Sequence, residues 1–370
     1  MKYYIIAGEA SGDLHGANLM RSILRKDPNA EIRYWGGDAM QEVQGHPVRH
    51  IRDLAYMGIV EVAAHLSTVL GNIRFCKEDI LAFNPDVIVY IDYPGFNLKI
   101  AKFAHAHGFK NVHYISPQLW AWKKGRIKSM RNVLDKLCYI LPFEQDFYAN
   151  NNFPKAVYVG HPLLDAASRY VVGEPITAPD GKKIVALLPG SRRMELKKTL
   201  PKMMAVVKAY PQYHFVVAGM TLLGDSFYKP LIEKADNITV VYDRTYDLLA
   251  SAFAAIVCSG TATLEAALFN VPQVVCYRAN AVSAAIARVL IGDKIRFISL
   301  PNLIADLAIV SELIQDDFTE SRLMEEFAKV TDDVDNRQRI ITGYSKIHHL
   351  LGDAGASDRT AEEIYSLMNQ

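Results

Sequence analysis

The chain has 370 residues, half of them hydrophobic, and a formal net charge of +1. That length allows two domains with separate cores, and that apolar share excludes a disordered chain. The near-neutral balance argues against a chain built mainly to hold nucleic acid.

In chain order, strands are predicted over residues 3–7, 31–35, 86–92, 111–115, 137–141 and 156–159, with a helix over 14–26 after the first. The opening stretch is a short strand entering a turn. It lacks the apolar core and cleavage site of a secretory signal. No apolar run approaches the ~20 residues that span a bilayer, so a soluble or peripheral protein is expected. A Pro- and Gly-rich segment over 172–181 predicts a linker. The second half repeats the scheme, with strands over 183–188, 213–218, 238–241, 255–258 and 273–277. Strands separated by helices imply an α/β fold of doubly wound parallel sheets. Two such Rossmann-like domains are expected to face each other across a cleft at the carboxyl ends of both sheets. The expected division is 1–171 and 182–335, with a polar helical tail over 336–370 able to cross back to the first domain. The cysteines, Cys76, Cys138, Cys258 and Cys276, form no Cys-x-x-Cys pair, and buried reduced thiols of a cytosolic protein are expected.

The second half carries the sharpest chemistry. After the strand over 255–258 comes a small, hydroxyl-rich turn, Ser259, Gly260, Thr261, Ala262 and Thr263, and then a helical pattern. Strand, small turn and helix N-terminus make a site for anionic groups, because the first amides of a helix point outward and its dipole favours negative charge. Glu265 follows, where a carboxylate could accept two hydroxyls of a ribose. A nucleotide diphosphate is the ligand this implies; a turn that merely caps its helix is the plainer alternative. Gly190, Ser191, Arg192 and Arg193 follow the strand over 183–188. Glycine lets a phosphate come close to the backbone, and arginine offers paired donors. Arg278, after the strand over 273–277, could also reach a phosphate.

The first half differs. The loop Gly8-Glu9-Ala10-Ser11-Gly12-Asp13 is no dinucleotide fingerprint, since its carboxylates would repel a pyrophosphate. A sugar with free hydroxyls suits it, through Glu9, Ser11 and Asp13; Ser11 and Asp13 could instead cap a helix. Asp92 ends the clearest strand, where a side chain faces the cleft, and His15 is a second candidate base. Asp332-Asp333-Val334-Asp335 reads as a solvated acidic stretch, and no metal site or cofactor is expected.

Several of these segments occur together in one known order. Residues 7–13 (Ala-Gly-Glu-Ala-Ser-Gly-Asp), 57–62 (Met-Gly-Ile-Val-Glu-Val), 114–122 (Tyr-Ile-Ser-Pro-Gln-Leu-Trp-Ala-Trp), 140–144 (Ile-Leu-Pro-Phe-Glu), 159–162 (Val-Gly-His-Pro), 187–192 (Leu-Leu-Pro-Gly-Ser-Arg), 259–265 and 299–303 (Ser-Leu-Pro-Asn-Leu) resemble the lipid-A-disaccharide synthases, glycosyltransferase family 19. The resemblance runs from about residue 5 to about residue 305. It implies an inverting enzyme of the two-Rossmann GT-B type, active without metal in bacterial lipopolysaccharide assembly. Its substrates would be UDP-2,3-diacylglucosamine and 2,3-diacylglucosamine 1-phosphate, and UDP would leave. By resemblance Arg192 meets the leaving diphosphate, Arg193 is incidental and Asn302 lies near the nucleotide sugar. Asp92 takes the proton of the acceptor 6-hydroxyl. Relatives often carry a second Asp where this chain has Gly95, which leaves Asp92 as the remaining carboxylate.

Acylated substrates bear on two apolar features. The stripe over 57–70, with Ile59, Val60, Leu66 and Val69, reads as core or as a membrane face. Trp120, Trp122, Lys123, Lys124 and Arg126 suit a headgroup interface, or else a solvated basic helix. The expected location is cytoplasmic, peripheral to an anionic inner-membrane surface, with a homodimer left open. Competing readings are a UDP-N-acetylglucosamine 2-epimerase, a muropeptide N-acetylglucosaminyltransferase, and a non-catalytic nucleotide-sugar or lipid-binding module. An epimerase needs no acyl patch. The muropeptide enzyme would carry a glycine-rich first loop with histidine. A mere binder needs no base such as Asp92.

Overall fold

A computed structural model describes residues 1–54, 66–121, 125–171, 173–179, 181–191, 193–232, 235–278 and 296–369. The chain forms two compact units, Met1–Asp165 with Asp353–Gln370, and Ala166–Gly352. Unit 1 holds β1 (Lys2–Ala7), β2 (Glu31–Gly36), β3 (Arg49–His50), β4 (Val87–Ile91), β5 (Lys110–Tyr114), β6 (Lys136–Tyr139) and β7 (Ala156–Tyr158). They pair in parallel in the order β3-β2-β1-β4-β5-β6-β7. Unit 2 holds β8 (Lys183–Leu188), β9 (Tyr213–Gly219), β10 (Ile238–Tyr242), β11 (Ala252–Cys258), β12 (Gln273–Tyr277) and β13 (Ser311–Ile314). Their order is β10-β9-β8-β11-β12-β13, again all parallel.

The apolar runs explain the sheets. A parallel sheet covered on both faces needs strands that are hydrophobic throughout, and β4, Val-Ile-Val-Tyr-Ile, is buried at every residue. Alternate side chains serve the two faces. Tyr4, Ile6, Ile88 and Tyr90 enter one core, while Tyr3, Ile5, Val87 and Val89 enter the other. One polar network pins the helix Leu66–Phe83 to the first face. Asp79 accepts from Arg33 Nε at 2.9 Å and from the Tyr4 hydroxyl at 2.6 Å, and Trp35 Nε1 donates to Tyr4 at 2.8 Å.

Each sheet has one switch point, where the strand order reverses and ligands of open α/β sheets bind. In unit 1 it lies between β1 and β4, with Ala7 opposite Ile91. In unit 2 it lies between β8 and β11, with Leu188 opposite Val257. The candidate loops are the segments that leave these four strand ends.

The tail is two helices, Val334–Leu351 and Ala356–Met368, broken at Gly352 (φ 71°) and Gly355 (φ 111°), which both take the left-handed backbone that favours glycine. The second packs against the helix Ala10–Lys26 within unit 1. Ion pairs Arg25–Asp358 and Lys26–Glu362 line that contact. Asp165, buried, caps the second helix: it accepts the amides of Gly355 (2.5 Å), Ala356 (3.0 Å) and Ser357 (2.9 Å). Arg359 Nε donates to Val159 O at 2.7 Å. Asp165→Ala should therefore cost on the order of 3 kcal/mol, because it leaves orphan amides at a buried helix start. Thermal melts should show unit 1 losing roughly 6–12 °C. An unchanged melting temperature would refute the cap.

The segment over 173–179 does not run free. Ile176 N donates to Ser251 Oγ at 3.1 Å, and Ile176 and Ala178 pack on the core of unit 2. All four cysteines are buried and free of disulfides. Asp333 caps the helix Val334–Leu351, accepting from Asn336 N at 2.9 Å.

Candidate active site

In unit 2, β11 runs into Ser259 and Gly260, and the helix Thr261–Leu268 begins at once. Gly260 has φ 155°, and no side chain caps the helix. That leaves the helix start without a side-chain cap, with a dipole and leading amides that favour negative charge. Thr263 Oγ1 donates to Gly260 O at 2.7 Å and accepts from Leu300 N at 3.3 Å, and Ser259 Oγ donates to Ile298 O at 3.3 Å. The hydroxyls thus fix the turn and tie it to the segment over 298–300. Glu265 is half-buried and accepts from the Tyr246 hydroxyl at 3.3 Å. Burial raises its pKa, and the Tyr246 hydrogen bond opposes that rise.

The Gly190 turn leaves β8 beside this helix start. Gly190 sits at φ 108°, and a side chain there would meet Glu195 Oε2 at 3.1 Å. Ser191 is exposed. Arg192 lies outside the described residues. Arg193 stacks its guanidinium over Phe227 at 5.2 Å. Arg278 is exposed just past β12.

Asn302, expected near the nucleotide sugar, is buried and occupied within the fold. Its Oδ1 accepts from Ile309 N (2.8 Å) and Val310 N (3.0 Å), and its Nδ2 donates to Val310 O and Glu312, each at 2.9 Å. Glu312, which the sequence reading missed, also accepts from Ile298 N, Ser299 N and Ser299 Oγ. Its one signal was a carboxylate inside a short apolar run.

In unit 1, Asp92 leaves β4 at the switch point, beside the Gly8–Glu9 loop that leaves β1. Asp92 and Tyr93 both have left-handed backbones, φ 44° and 48°. Two such non-glycine residues in a row are strained, and strain of this kind collects at functional sites. The surroundings hold them. Asn97, fully buried and also missed, donates to Asp92 O at 2.7 Å; Asp92 N donates to Tyr114 O at 3.0 Å. A side chain at position 8 would strike the Tyr93 ring at 2.4 Å, so only glycine fits there. Burial lifts the Asp92 pKa from 3.8 to about 7; the Glu9 charge adds to this and the Tyr93 amide opposes it. A carboxylate with such a pKa is matched to proton abstraction near neutrality.

The other acceptor candidates divide. Glu9 starts the helix Ala10–Lys26 and is half-buried, and Ser11 is exposed. Asp13 is buried, with its carboxylate committed to the helix Asp38–Gln41: it accepts from Gly37 N (2.6 Å), Ala39 N (3.0 Å) and Met40 N (3.1 Å). His15 is buried too, and burial lowers its pKa to about 4, with the Asp165 charge opposing.

Among the expected membrane residues, Val69 packs against the core while its neighbour Leu70 is 53% exposed. Leu66 opens the helix Leu66–Phe83. Trp120 is half-buried, edge-on to Phe143 at 5.0 Å, and Arg126 opens the helix Arg126–Val133. Ile59, Val60, Trp122, Lys123 and Lys124 lie outside the described residues. Among the described residues no helix is long and apolar enough to cross a membrane, and no group of three or more His, Cys, Asp or Glu is placed to hold a metal.

Comparison with known proteins follows the same line. The family model described as lipid-A-disaccharide synthetase matches residues 3–363. A lipid-A-disaccharide synthase of Geobacter sulfurreducens is 35% identical over 375 residues, covering 99% of this chain and 97% of the relative. That of Nitrosococcus oceani is 35% identical over 367 residues, covering 97% and 94%. Among solved structures, a UDP-GlcNAc 2-epimerase from Neisseria meningitidis bound to UDP-GlcNAc superposes with TM-score 0.67 at 12% identity, covering 99% of this chain and 100% of that one. A calicheamicin glycosyltransferase does so with TM-score 0.63 at 16% identity, covering 100% and 98%. These neighbours share the GT-B fold of two parallel-sheet domains. With a family model spanning nearly its whole length, the chain belongs to the lipid-A-disaccharide synthase family of glycosyltransferases.

Proposed function

We propose that this enzyme condenses UDP-2,3-diacylglucosamine with 2,3-diacylglucosamine 1-phosphate, giving the β-linked disaccharide 1-phosphate and UDP. The observation that carries this is a strained, partly buried carboxylate, Asp92, at the switch point of one sheet, in a chain whose other sheet offers an uncapped helix start at its own. Asp92 takes the proton of the acceptor 6-hydroxyl. The oxygen attacks the anomeric carbon, and the bond to the UDP oxygen breaks with its electron pair leaving on the diphosphate. The amides at 260–262 with Gly190 and Ser191 hold that diphosphate, Glu265 takes the ribose hydroxyls, and Arg192 neutralises the charge that builds on departure. Arg278 lies within the same donor half. Glu9 and Ser11 contact the acceptor, while Asp13 and Asn302 shape the loops around it and around the nucleotide.

The test is product analysis. Purified protein with both substrates should yield disaccharide 1-phosphate and UDP by mass spectrometry. Conversion of UDP-N-acetylglucosamine without any acceptor would favour an epimerase instead.

A peripheral seat on an anionic bilayer belongs to the same reading, since both substrates carry acyl chains. Ile59, Val60 and exposed Leu70 would dip into the interface, with Trp120 and Trp122 at headgroup level and Lys123, Lys124 and Arg126 over lipid phosphates. Each basic side chain near such a surface is worth about 1 kcal/mol. Changing Ile59, Val60 and Leu70 to Ser should lower the vesicle-bound fraction in flotation and leave UDP affinity alone. Salt should weaken attachment without abolishing it, because apolar burial is not screened. Val69→Ser should cost stability instead, given its packing. A bound fraction that ignores the triple change would remove the membrane assignment.

A further inference from the structure

A second buried carboxyl stands at the carboxyl edge of the first sheet, two strands from Asp92. Glu144 opens the helix Glu144–Asn150 after β6 and is 1% exposed. Its Oε2 accepts from Leu141 N at 3.2 Å, and its Oε1 is buried without a hydrogen-bond partner. The Ser116 hydroxyl, also buried, shares a hydrogen bond with the Tyr148 hydroxyl and donates to Pro117 O at 3.0 Å. Ser116 and the Leu141 and Ile140 amides all act on the Glu144 carboxyl.

This cluster is one residue from the site already described. Asp92 follows Ile91, which pairs with Tyr114, so Asp92 stands beside Ile115. Ile115 has φ 65°, rare for a β-branched residue, and its amide donates to Cys138 O at 3.0 Å. The ends of β4, β5 and β6 are thus knitted together, and the segment over 116–121 follows the strained residue Ile115. Trp120 of that segment packs edge-on against Phe143, next to Glu144.

We infer that Glu144 is a positioning residue for the acceptor: its carboxyl, wedged between the Leu141 amide and the Ser116–Tyr148 pair, sets the path of segment 116–121 beside Asp92. The inference rests on reading Asp92 as the base. Burial lifts the Glu144 pKa to about 8, and the Leu141 and Ile140 amides and Ser116 oppose that rise. The groups that face it are the Ser116 hydroxyl from the β5 side, the Tyr139 phenol from β6 and the Tyr148 phenol from its own helix, with Asp146 beyond Tyr139. Both phenols are pushed upward and stay neutral as Glu144 titrates. Ionisation would place a negative charge in this buried pocket and loosen the segment.

The test is the pH profile of kcat/KM for the acceptor. Wild type should show an acid limb near pH 7 from Asp92 and an alkaline limb near pH 8 from Glu144. Glu144→Gln, neutral at every pH, should keep the acid limb and lose the alkaline one, gaining about tenfold over wild type one unit above the limb. Ser116→Ala removes a polar neighbour that favours the ionised form, so its alkaline limb should move up. Glu144→Ala should raise the acceptor KM about tenfold with UDP affinity unchanged. An alkaline limb that stays put in both Glu144→Gln and Ser116→Ala overturns the inference, and if Glu144→Gln does not fold, Ser116→Ala alone decides. Loss of the acid limb's dependence on Asp92 with the alkaline shifts intact would sink the base assignment and spare this one.

Discussion

Asp92→Asn should lower kcat by ~100-fold or more, the usual scale for a positioned base, while leaving UDP affinity unchanged. The amide keeps the shape of the side chain but cannot take a proton. Asn97 and Tyr114 grip the backbone at Asp92, not its carboxylate, so the strained turn should persist. Stability gives an independent sign. The folded-state pKa is raised from 3.8 to about 7, so the unfolded chain releases this proton first. The group's favourable contribution is complete below the unfolded pKa and is lost as pH rises through 7. Asp92→Asn, which never ionises, should therefore melt above wild type at pH 8 and level with it near pH 3. Near-wild-type kcat at saturating substrates would pass the role to Glu9. His15 is a weaker heir, being buried with its pKa lowered by that burial.

Arg192→Ala should slow transfer by about 100- to 1,000-fold, because the charge on the departing diphosphate would lose the paired donors proposed for it. Arg193→Ala should change the rate far less. Its guanidinium lies over the Phe227 ring, and the expected cost is on the order of 1 kcal/mol of stability. Single-turnover rates for the two variants separate the roles. Equal losses of rate would break the assignment of the leaving-group arginine.

The buried strands were legible because a parallel sheet demands unbroken apolar runs. β8 and β12 fall where the sequence puts them, and β4 is trimmed by one charged residue at each end. β3 has two residues and β13 reads Ser-Glu-Leu-Ile, too short and too polar for periodicity to register. Asp92 was legible as a strand end. What the sequence withheld was the neighbour, because strand order alone puts β1 next to β4. Asp13 and Asn302 show the reverse problem. Their polar side chains read as ligand contacts, yet the amides that engage Asp13 come from Gly37, Ala39 and Met40, more than twenty residues on. Glu144 stood in the sequence only as the last residue of the segment over 140–144. Only packing beneath Ser116 and Tyr148 buries it.

A single displacement driven by Asp92 is tested most directly by the anomeric configuration of the product. With an α-linked UDP-diacylglucosamine donor, proton NMR of the purified disaccharide should show a β linkage, because a base that activates the acceptor permits one inversion only. An α linkage would mean net retention, by two inversions through a covalent sugar–enzyme intermediate or by front-face displacement. A single inverting displacement with Asp92 as base would then be contradicted.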